Sequence, residues 1–275
     1  MRHSVNGTVL NVVEQGRHSP ALLFLHYFGG SSRAWSGIME RSAPDHRCIA
    51  LDVRGFGRSD APVRGEFELA DAAEDVLALI SALRVDSYVL VGHSMGGKIA
   101  CAIAATQPSG LKALVLVAPS PPTPEPMDDA QRNELLSSYG NRAAAVATIE
   151  KITLRRLSEP LFTTCLEDNL ASSRSGWIWW LEDGSREDIS LQMASIRVPT
   201  LVLASIEDPA IVKAVLDEEL MPQLQHAQMK IVAEAGHLLP LEAADEVGAA
   251  IKTFVGRLRL SKQAQEGRAN RALRE

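Results

Sequence analysis

A serine near the first third of the chain stands in a pattern that suits a nucleophile. Ser94 lies in the sequence Gly-His-Ser-Met-Gly at positions 92–96, directly after an apolar run and directly before a stretch of small apolar residues. A strained turn from a strand into a helix would project the hydroxyl of Ser94, and this turn requires small residues two positions away on each side. Gly92 and Gly96 meet that requirement. The same turn would place the N–H of Met95 at a helix N-terminus, where a developing oxyanion is stabilised.

A serine hydroxyl is a weak nucleophile until a base removes its proton, and His237 is the histidine best placed to act as that base. It follows the apolar run Met229–Val232, so we expect it at the carboxyl edge of a parallel sheet, where ligands bind in open α/β folds. His93 is adjacent to the serine, and neighbouring residues on the turn point apart, so we expect its side chain to be buried beneath the turn. His26 follows another apolar run, and two roles stay open for it: scaffold or direct contact with the reacting groups.

Short apolar runs alternate with amphipathic stretches along much of the chain, which predicts an α/β fold with a mainly parallel sheet. Six runs are expected to be strands: Ala21–Leu25, Cys48–Val53, Tyr88–Val91, Ala113–Ala118, Thr200–Ala204 and Met229–Val232. Four stretches are expected to be helices: Phe67–Leu83, Met95–Ala105, Ala210–Leu220 and Leu241–Leu258. An early strand at Val9–Val13 is expected to be an antiparallel edge of the sheet.

The alternation breaks between residues 120 and 197, which we interpret as a helical cap inserted over the carboxyl edge of the sheet. A proline-rich turn opens this segment, and the sequence after it is helix-like with no convincing strand. The segment holds three of the four tryptophans, namely Trp177, Trp179 and Trp180. The predicted organisation is a core at residues 1–119 and 198–258, the cap at residues 120–197, and a charged tail at residues 259–275. This tail is either a solvated tail or frayed helix extension, or a basic partner-binding arm.

Five motifs occur in a fixed order along the chain and carry a resemblance to a known family. They are His-Tyr-Phe-Gly-Gly at 26–30, Asp-Val-Arg-Gly-Phe-Gly-Arg-Ser at 52–59, the Ser94 turn, Ile-Glu-Asp at 206–208 and Gly-His at 236–237. Together they resemble the α/β-hydrolase superfamily, and specifically its capped, esterase-like branch, over residues 8–258. The resemblance implies a mostly parallel central sheet with helices on both faces and an inserted helical cap.

The resemblance also implies an orienting acid between the serine and the histidine in the chain. It assigns this role to Asp208, which follows the predicted strand Thr200–Ala204. Glu207 is adjacent and is the rival assignment. Some relatives place the acid one strand earlier, but residues 120–124 of this chain contain no carboxylate. The position after the predicted strand Thr200–Ala204 is therefore the favoured one for the acid.

By the same resemblance, the N–H of Phe28 is the second oxyanion donor, together with that of Met95. The chain departs from the common family pattern here, because Tyr27 replaces a glycine and lacks the backbone freedom of glycine. Either the oxyanion hole has a different shape or the hydroxyl of Tyr27 reaches into the site. For His26 the resemblance favours the scaffold role.

The expected reaction is acyl transfer from a small-molecule ester through an acyl-enzyme, with no cofactor and no metal. An apolar pocket wall suits a small to medium acyl chain. The residues expected to contact the substrate are Tyr27, Leu238 and the cap tryptophans Trp177, Trp179 and Trp180. The alternative for the tryptophans is the core of the cap, with at most one or two of them lining the pocket. The same triad would serve a cofactor-free perhydrolase or haloperoxidase, a lactonase or a C–C bond hydrolase. A ligand-binding module without catalysis on the same fold is the alternative from a different class.

The composition fits one large globular domain and argues against several kinds of partner. The chain has 275 residues, of which 46% are hydrophobic and 23% charged, with a formal net charge of −6 at pH 7. An acidic chain lacks the basic face that nucleic-acid binding needs, and no apolar run reaches the ~18 residues typical of a membrane span. No secretory signal is visible, and Cys48, Cys101 and Cys165 are odd in number and far apart. We therefore expect a cytoplasmic protein with reduced thiols.

Overall fold

The computed structural model describes residues 1–61 and 67–272, with side chains described as far as residue 258. One sheet contains the strands β1 (Arg2–Val5), β2 (Thr8–Gln15), β3 (Ala21–Leu25), β4 (Cys48–Leu51), β5 (Tyr88–His93), β6 (Leu111–Val117), β7 (Thr200–Ala204) and β8 (Ala227–Ile231). Their order across the sheet is β1-β2-β4-β3-β5-β6-β7-β8. The pairs from β4 to β8 are parallel, whereas β1–β2 and β2–β4 are antiparallel. The predicted α/β class with a mostly parallel sheet is confirmed.

The edge of the sheet differs from the prediction. The predicted edge strand Val9–Val13 lies within β2, which pairs with β1 on one side and β4 on the other. Asn6 and Gly7 join β1 to β2 with φ values of 42° and 75°, the left-handed conformation that two-residue hairpin turns use. Val5 is the one buried residue of β1, so this short strand shows too little alternation to be recognised in the sequence.

Helices connect the strands and cover both faces of the sheet. Within the described residues the α-helices are α1 (Ser36–Ser42), α2 (Leu69–Ala82), α3 (Met95–Ala105), α4 (Asp129–Ser137), α5 (Arg142–Ile152), α6 (Glu159–Ala171), α7 (Arg174–Trp179), α8 (Ser190–Met193), α9 (Lys213–Val215), α10 (Leu239–Glu242) and α11 (Ala244–Ala272). Because side chains alternate along a strand, Leu23 and Leu25 of β3 join the core with α2 and α3, whereas Leu22 and Phe24 join the core with α1 and α11. Both faces of the central strands are therefore buried, which explains why their sequences are continuous apolar runs.

The helix predicted over Ala210–Leu220 is wrong in its first part. The N–H groups of Ala210 and Ile211 donate to Oδ1 of Asp208, at 2.8 and 3.0 Å, and this holds the segment in a turn. A side-chain acceptor of this kind competes with helical hydrogen bonds. Helical structure begins only at α9 and continues as a π-helical turn over Leu216–Leu220.

The single helix predicted over Leu241–Leu258 is instead two helices, α10 and α11. Ala243 separates them with φ −136° and ψ 41°, which is not helical. The last helix continues to Ala272. The predicted tail at residues 259–275 therefore begins as helix, while the side chains that would distinguish a solvated tail from a partner-binding arm lie outside the described residues.

The segment between β6 and β7 contains α4 to α8 and a π-helical turn at Trp180–Gly184. All of this segment is described, and it contains no strand. The expected helical insert is therefore present, between two neighbouring parallel strands whose carboxyl ends point to the same edge. Among the described residues, no helix combines the length and hydropathy needed to cross a bilayer.

Candidate active site

Ser94 lies on a sharp turn between β5 and α3. Its backbone has φ 52° and ψ −118°, a conformation that residues with a side chain rarely adopt. A Cβ atom at Gly92 would stand 2.3 Å from the carbonyl oxygen of Gly96, and one at Gly96 would stand 2.5 Å from the carbonyl oxygen of Leu25. Neither position tolerates a side chain, and this is the physical basis of the glycine spacing around the serine.

The ring of His237 bridges Ser94 and Asp208. Nε2 of His237 lies 3.0 Å from Oγ of Ser94, and Nδ1 lies 2.8 Å from Oδ2 of Asp208. The other carboxylate oxygen of Asp208 accepts the two N–H groups described above, which fixes the orientation of this side chain. All three side chains are buried. The structure thus brings together the serine, the histidine and the aspartate that the sequence analysis singled out.

Glu207, the rival acid, is directed away from this group. Its Oε2 lies 2.9 Å from the hydroxyl of Ser205, at the end of β7. The Ser205 hydroxyl also donates to the carbonyl oxygen of Ala235 at 2.6 Å, which joins the end of β7 to the loop that carries His237. Adjacent side chains on this turn point in different directions, and the one aimed at the imidazole is that of Asp208.

The buried carboxylate next to His237 raises the basicity of its imidazole. Burial by itself lowers the pKa of His237, but the carboxylate of Asp208 outweighs burial and raises this pKa above the usual 6.5. Burial likewise acts to raise the pKa of Asp208, yet His237 and the two N–H donors bring it below its ordinary value. Asp208 is therefore ionised at neutral pH, and its charge is placed to stabilise a protonated imidazole at His237.

The backbone of His237 is held from two sides. Its N–H donates to the carbonyl oxygen of Ile152, the last residue of α5, at 2.7 Å. Its own carbonyl oxygen accepts from Nε2 of His93 at 2.9 Å, so His93 carries a proton on that nitrogen. Burial keeps the pKa of His93 well below its ordinary value, and the ring is neutral. His93 is thus buried, as expected, and it supports the backbone of the candidate base.

Glu242 is not among the residues predicted from the sequence, yet its carboxylate organises the loop around His237. It accepts the N–H groups of the residues on either side of His237, at 2.8 and 3.0 Å. Its Oε2 also accepts the N–H groups of Leu154 and Arg155, each at 2.8 Å, just after α5. No sequence signal marks this role, because a glutamate in an amphipathic stretch ordinarily faces solvent.

Phe28 and Met95 present backbone N–H groups that are free to bind an oxyanion. Neither N–H takes part in a hydrogen bond within the described part of the chain. Met95 begins α3, directly after Ser94, and Phe28 follows the end of β3. The N–H of Gly96 donates to the carbonyl oxygen of His26 at 3.1 Å, and this bond joins the two segments.

Tyr27 fits its position without backbone strain. It opens a turn in which the N–H of Gly30 donates to its carbonyl oxygen at 3.0 Å, and the positive φ that the turn needs falls on Gly29, at 77°. Its ring lies 5.2 Å from that of His93, and its hydroxyl faces the thiol of Cys165 in α6. The Tyr27 hydroxyl is thus turned towards the cap.

His26 is occupied by backbone contacts on both ring nitrogens. Nε2 accepts the N–H of Val53 at 2.9 Å, so the proton resides on Nδ1, which donates to the carbonyl oxygen of Tyr27 at 2.7 Å. Burial lowers the pKa of His26, consistent with a neutral ring. These contacts correspond to the scaffold role.

The three cap tryptophans divide into two environments. Trp177 contacts Phe28, with ring centroids 4.4 Å apart, and its Nε1 donates to a carbonyl oxygen of α4 at 3.0 Å. Trp179 packs against Phe67 at 4.3 Å and against Trp180 at 5.7 Å, and both belong to the main apolar core. Leu238, next to the candidate base, is fully buried in a cluster with Tyr27. Of the tryptophans, Trp177 is the one that packs against Phe28.

Comparisons with known proteins agree with this architecture. A sequence profile described as the alpha/beta hydrolase fold matches residues 20–244. The chain is 28% identical to N-formylmaleamate deformylase of Pseudomonas putida, over 92% of this chain and 94% of that protein. It superposes on an esterase of Exiguobacterium antarcticum with a TM-score of 0.84 at 22% identity, covering 92% of this chain and 97% of the esterase. An enol-lactonase of Burkholderia xenovorans LB400 superposes with a TM-score of 0.81 at 22% identity, covering 93% of this chain and all of that one (100%). Because the profile spans most of the chain, the protein belongs to the α/β-hydrolase fold family.

Proposed function

We propose that this family member is a serine hydrolase that cleaves carboxylic esters of small to medium acyl chain through an acyl-enzyme. One observation carries the proposal: a continuous series of hydrogen bonds runs from Asp208 through His237 to Ser94, and Ser94 stands on a positive-φ turn. Nucleophile, base and orienting acid within hydrogen-bond reach of one another form the arrangement used for acyl transfer.

The proposed reaction divides its steps among these residues. His237 removes the proton of Ser94 as Oγ attacks the ester carbonyl, and the N–H groups of Phe28 and Met95 stabilise the oxyanion. The imidazolium, held by Asp208, then donates its proton to the leaving alcohol. Water activated by His237 attacks the acyl-enzyme, and the acid and the free Ser94 are released.

The preference for an apolar acyl group rests on the side chains around the serine. The rings of Phe28 and Trp177 pack against each other at a tilt of 43°, and Met95 and Leu238, which follow Ser94 and His237 in the chain, are fully buried. Tyr27, in one cluster with Leu238, belongs to the same proposed wall, whereas Trp179 and Trp180 pack in the main apolar core and we assign them a supporting place behind it. Each methylene buried against such residues contributes roughly 0.8 kcal/mol, so affinity should rise with acyl length as far as the proposed pocket extends.

A lactone is an internal ester, and the same residues would open it. The likeness to an enol-lactonase in fold makes lactonase activity the second candidate. A lactonase would prefer a cyclic ester to an open-chain ester of equal carbon number, which separates the two proposals by one measurement.

The test is hydrolysis of p-nitrophenyl esters from acetyl to palmitoyl by the full chain, with γ-lactones and a peroxide-dependent peracid assay in parallel. We expect turnover that peaks at a short to medium chain. Ser94→Ala should lose on the order of 10⁶ in kcat while remaining folded. Near-normal activity in that variant would exclude Ser94 as nucleophile, and activity that requires peroxide would indicate a perhydrolase. A wild-type chain that neither turns over esters nor reacts with a fluorophosphonate probe would be a binding module.

A further inference from the structure

One face of the cap helix α6 contacts the loop that carries Phe28. We call residues 27–33 the 27–33 loop. Cys165 faces the hydroxyl of Tyr27. The side-chain amide of Asn169 lies close to Gly29, because a Cβ atom added at Gly29 would stand 3.0 Å from Nδ2 of Asn169. Asp168 binds the far end of the same loop. Residues three and four apart lie on one side of a helix, so the three side chains form a single contact surface.

Asp168 makes the strongest of these contacts. It is 4% exposed, and its Oδ2 accepts the hydroxyl of Ser31 at 2.7 Å. Its Oδ1 accepts Nε of Arg33 at 2.9 Å and a second guanidinium nitrogen at 2.5 Å. A buried carboxylate that accepts two bonds from one guanidinium has a defined geometry as well as a compensated charge. Glu167, the neighbouring residue, pairs with the same guanidinium at 2.9 Å but is more than half exposed, at 57%.

The bonds to Asp168 continue into the backbone of the 27–33 loop. Oγ of Ser31 accepts the N–H of Arg33 at 3.1 Å, which starts the short 3-10 helix at Ser32–Trp35. The other end of the loop is joined to α3 by the bond from Gly96 to His26. Phe28 therefore lies between an anchor on the core and an anchor on the cap.

We propose that Asp168 is a positioning residue: acting through Ser31 and Arg33, it holds the 27–33 loop where the N–H of Phe28 can receive the oxyanion formed at Ser94. The inference rests on the proposed function, because it assumes that Phe28 is an oxyanion donor. It also extends that function, since the cap then helps to build the oxyanion hole as well as to cover the substrate.

The test is the rate at which a fluorophosphonate probe labels Ser94, measured for the full-length wild type, Asp168→Asn and the matched control Glu167→Gln. Labelling joins Oγ of Ser94 to phosphorus and releases fluoride, with the serine proton passing to His237. The phosphoryl oxygen occupies the oxyanion hole, so the rate reports the position of the hole without any natural substrate. Esters are assayed in parallel for kcat and KM.

We expect Asp168→Asn to label about 10- to 100-fold more slowly, since small misplacements of catalytic groups and loss of an oxyanion donor have effects of this size. Its ester kcat should fall by a similar factor with KM changed little, whereas Glu167→Gln should match the wild type. If Asp168→Asn does not fold, Ser31→Ala removes one of the same bonds, and we expect several-fold slower labelling from it.

A wild-type labelling rate in folded Asp168→Asn, or in Ser31→Ala where Asp168→Asn does not fold, would overturn the positioning role alone. Equal losses in Asp168→Asn and Glu167→Gln would do the same, because the exposed ion pair of Glu167 would then matter as much as the buried bonds of Asp168. A wild type that is labelled but hydrolyses no ester would overturn the ester proposal and leave the positioning role to be judged by the labelling rates. A wild type that resists both reagents would overturn both.

Discussion

The backbone N–H of His237 donates to the carbonyl oxygen of Ile152 at 2.7 Å, so the candidate base is tied to the cap through its main chain. The bond spans a large sequence separation and joins the loop after β8 to the end of α5. Glu242 strengthens the same junction by accepting N–H groups from both segments. The geometry at Ser94 therefore depends on where the cap docks.

Glu242→Gln should weaken this junction. The substitution replaces one carboxylate oxygen of Glu242 with an NH₂ group, which is a donor. This NH₂ group faces a backbone N–H group, so that N–H loses its acceptor in a buried place. We expect about 2–4 kcal/mol less stability, with a lower kcat and little change in KM. Thermal unfolding and ester kinetics measure the two effects. Glu246→Gln is the matched control, because it removes only an exposed ion pair with Arg155, worth about 0–1 kcal/mol. Equal behaviour of the two variants would contradict the role given to Glu242.

Asp208→Asn should lower kcat by about 10⁴, because the amide no longer holds the imidazole in the required tautomer or stabilises its charge. Glu207→Gln is the natural control, since the two positions are adjacent and Glu207 contacts Ser205 instead of His237. Its activity should stay within about twofold of the wild type, because it makes no contact with the reacting groups. If Glu207→Gln proves the more damaging change in ester kinetics, the acid is misassigned.

The pH profile should report the titration of His237. Three carboxylates, those of Asp208, Glu125 and Glu242, raise the pKa of this histidine against the opposing effect of burial. A protonated imidazole cannot accept the serine proton, so kcat/KM should fall as the pH drops through an inflection above 6.5. Asp208→Asn should move the inflection to lower pH, because it removes the largest of the raising charges. An inflection below that of free histidine in the wild type would contradict this description of the site.

Trp177 should influence acyl specificity more than Trp179 does. Trp177→Ala opens space beside Phe28, so the preferred acyl chain should lengthen, with a change of about fourfold in kcat/KM per methylene gained. Trp179→Phe should lower the melting temperature and leave the chain-length profile as it was, because that ring packs on Phe67. The measurement is the ester series on both variants, with fluorophosphonate labelling to show that Ser94 still reacts. A profile that is unchanged in Trp177→Ala would place the acyl pocket elsewhere.

Much of the fold could be predicted from the sequence because the signals are local. Apolar runs of about five residues mark strands buried on both faces, and the glycines around Ser94 follow from contacts within one turn. The carboxyl ends of parallel strands share an edge, so residues that follow β5, β7 and β8 were expected to meet, and the structure brings Ser94, Asp208 and His237 together. The short edge strand β1 escaped prediction because it has only one buried residue.

Only the tertiary structure decided which side chains hold the site in place. Asp168 and Glu242 are acidic residues in helices, and their sequence surroundings predict solvent exposure. They are buried because distant groups supply hydrogen bonds: Arg33 for Asp168, and the backbone after α5 for Glu242. The same holds for the tryptophans, since Trp177 and Trp179 lie in one short helix yet pack against Phe28 and Phe67. Burial of a charge or a ring depends on partners that are distant in the sequence. Local sequence patterns therefore do not predict it.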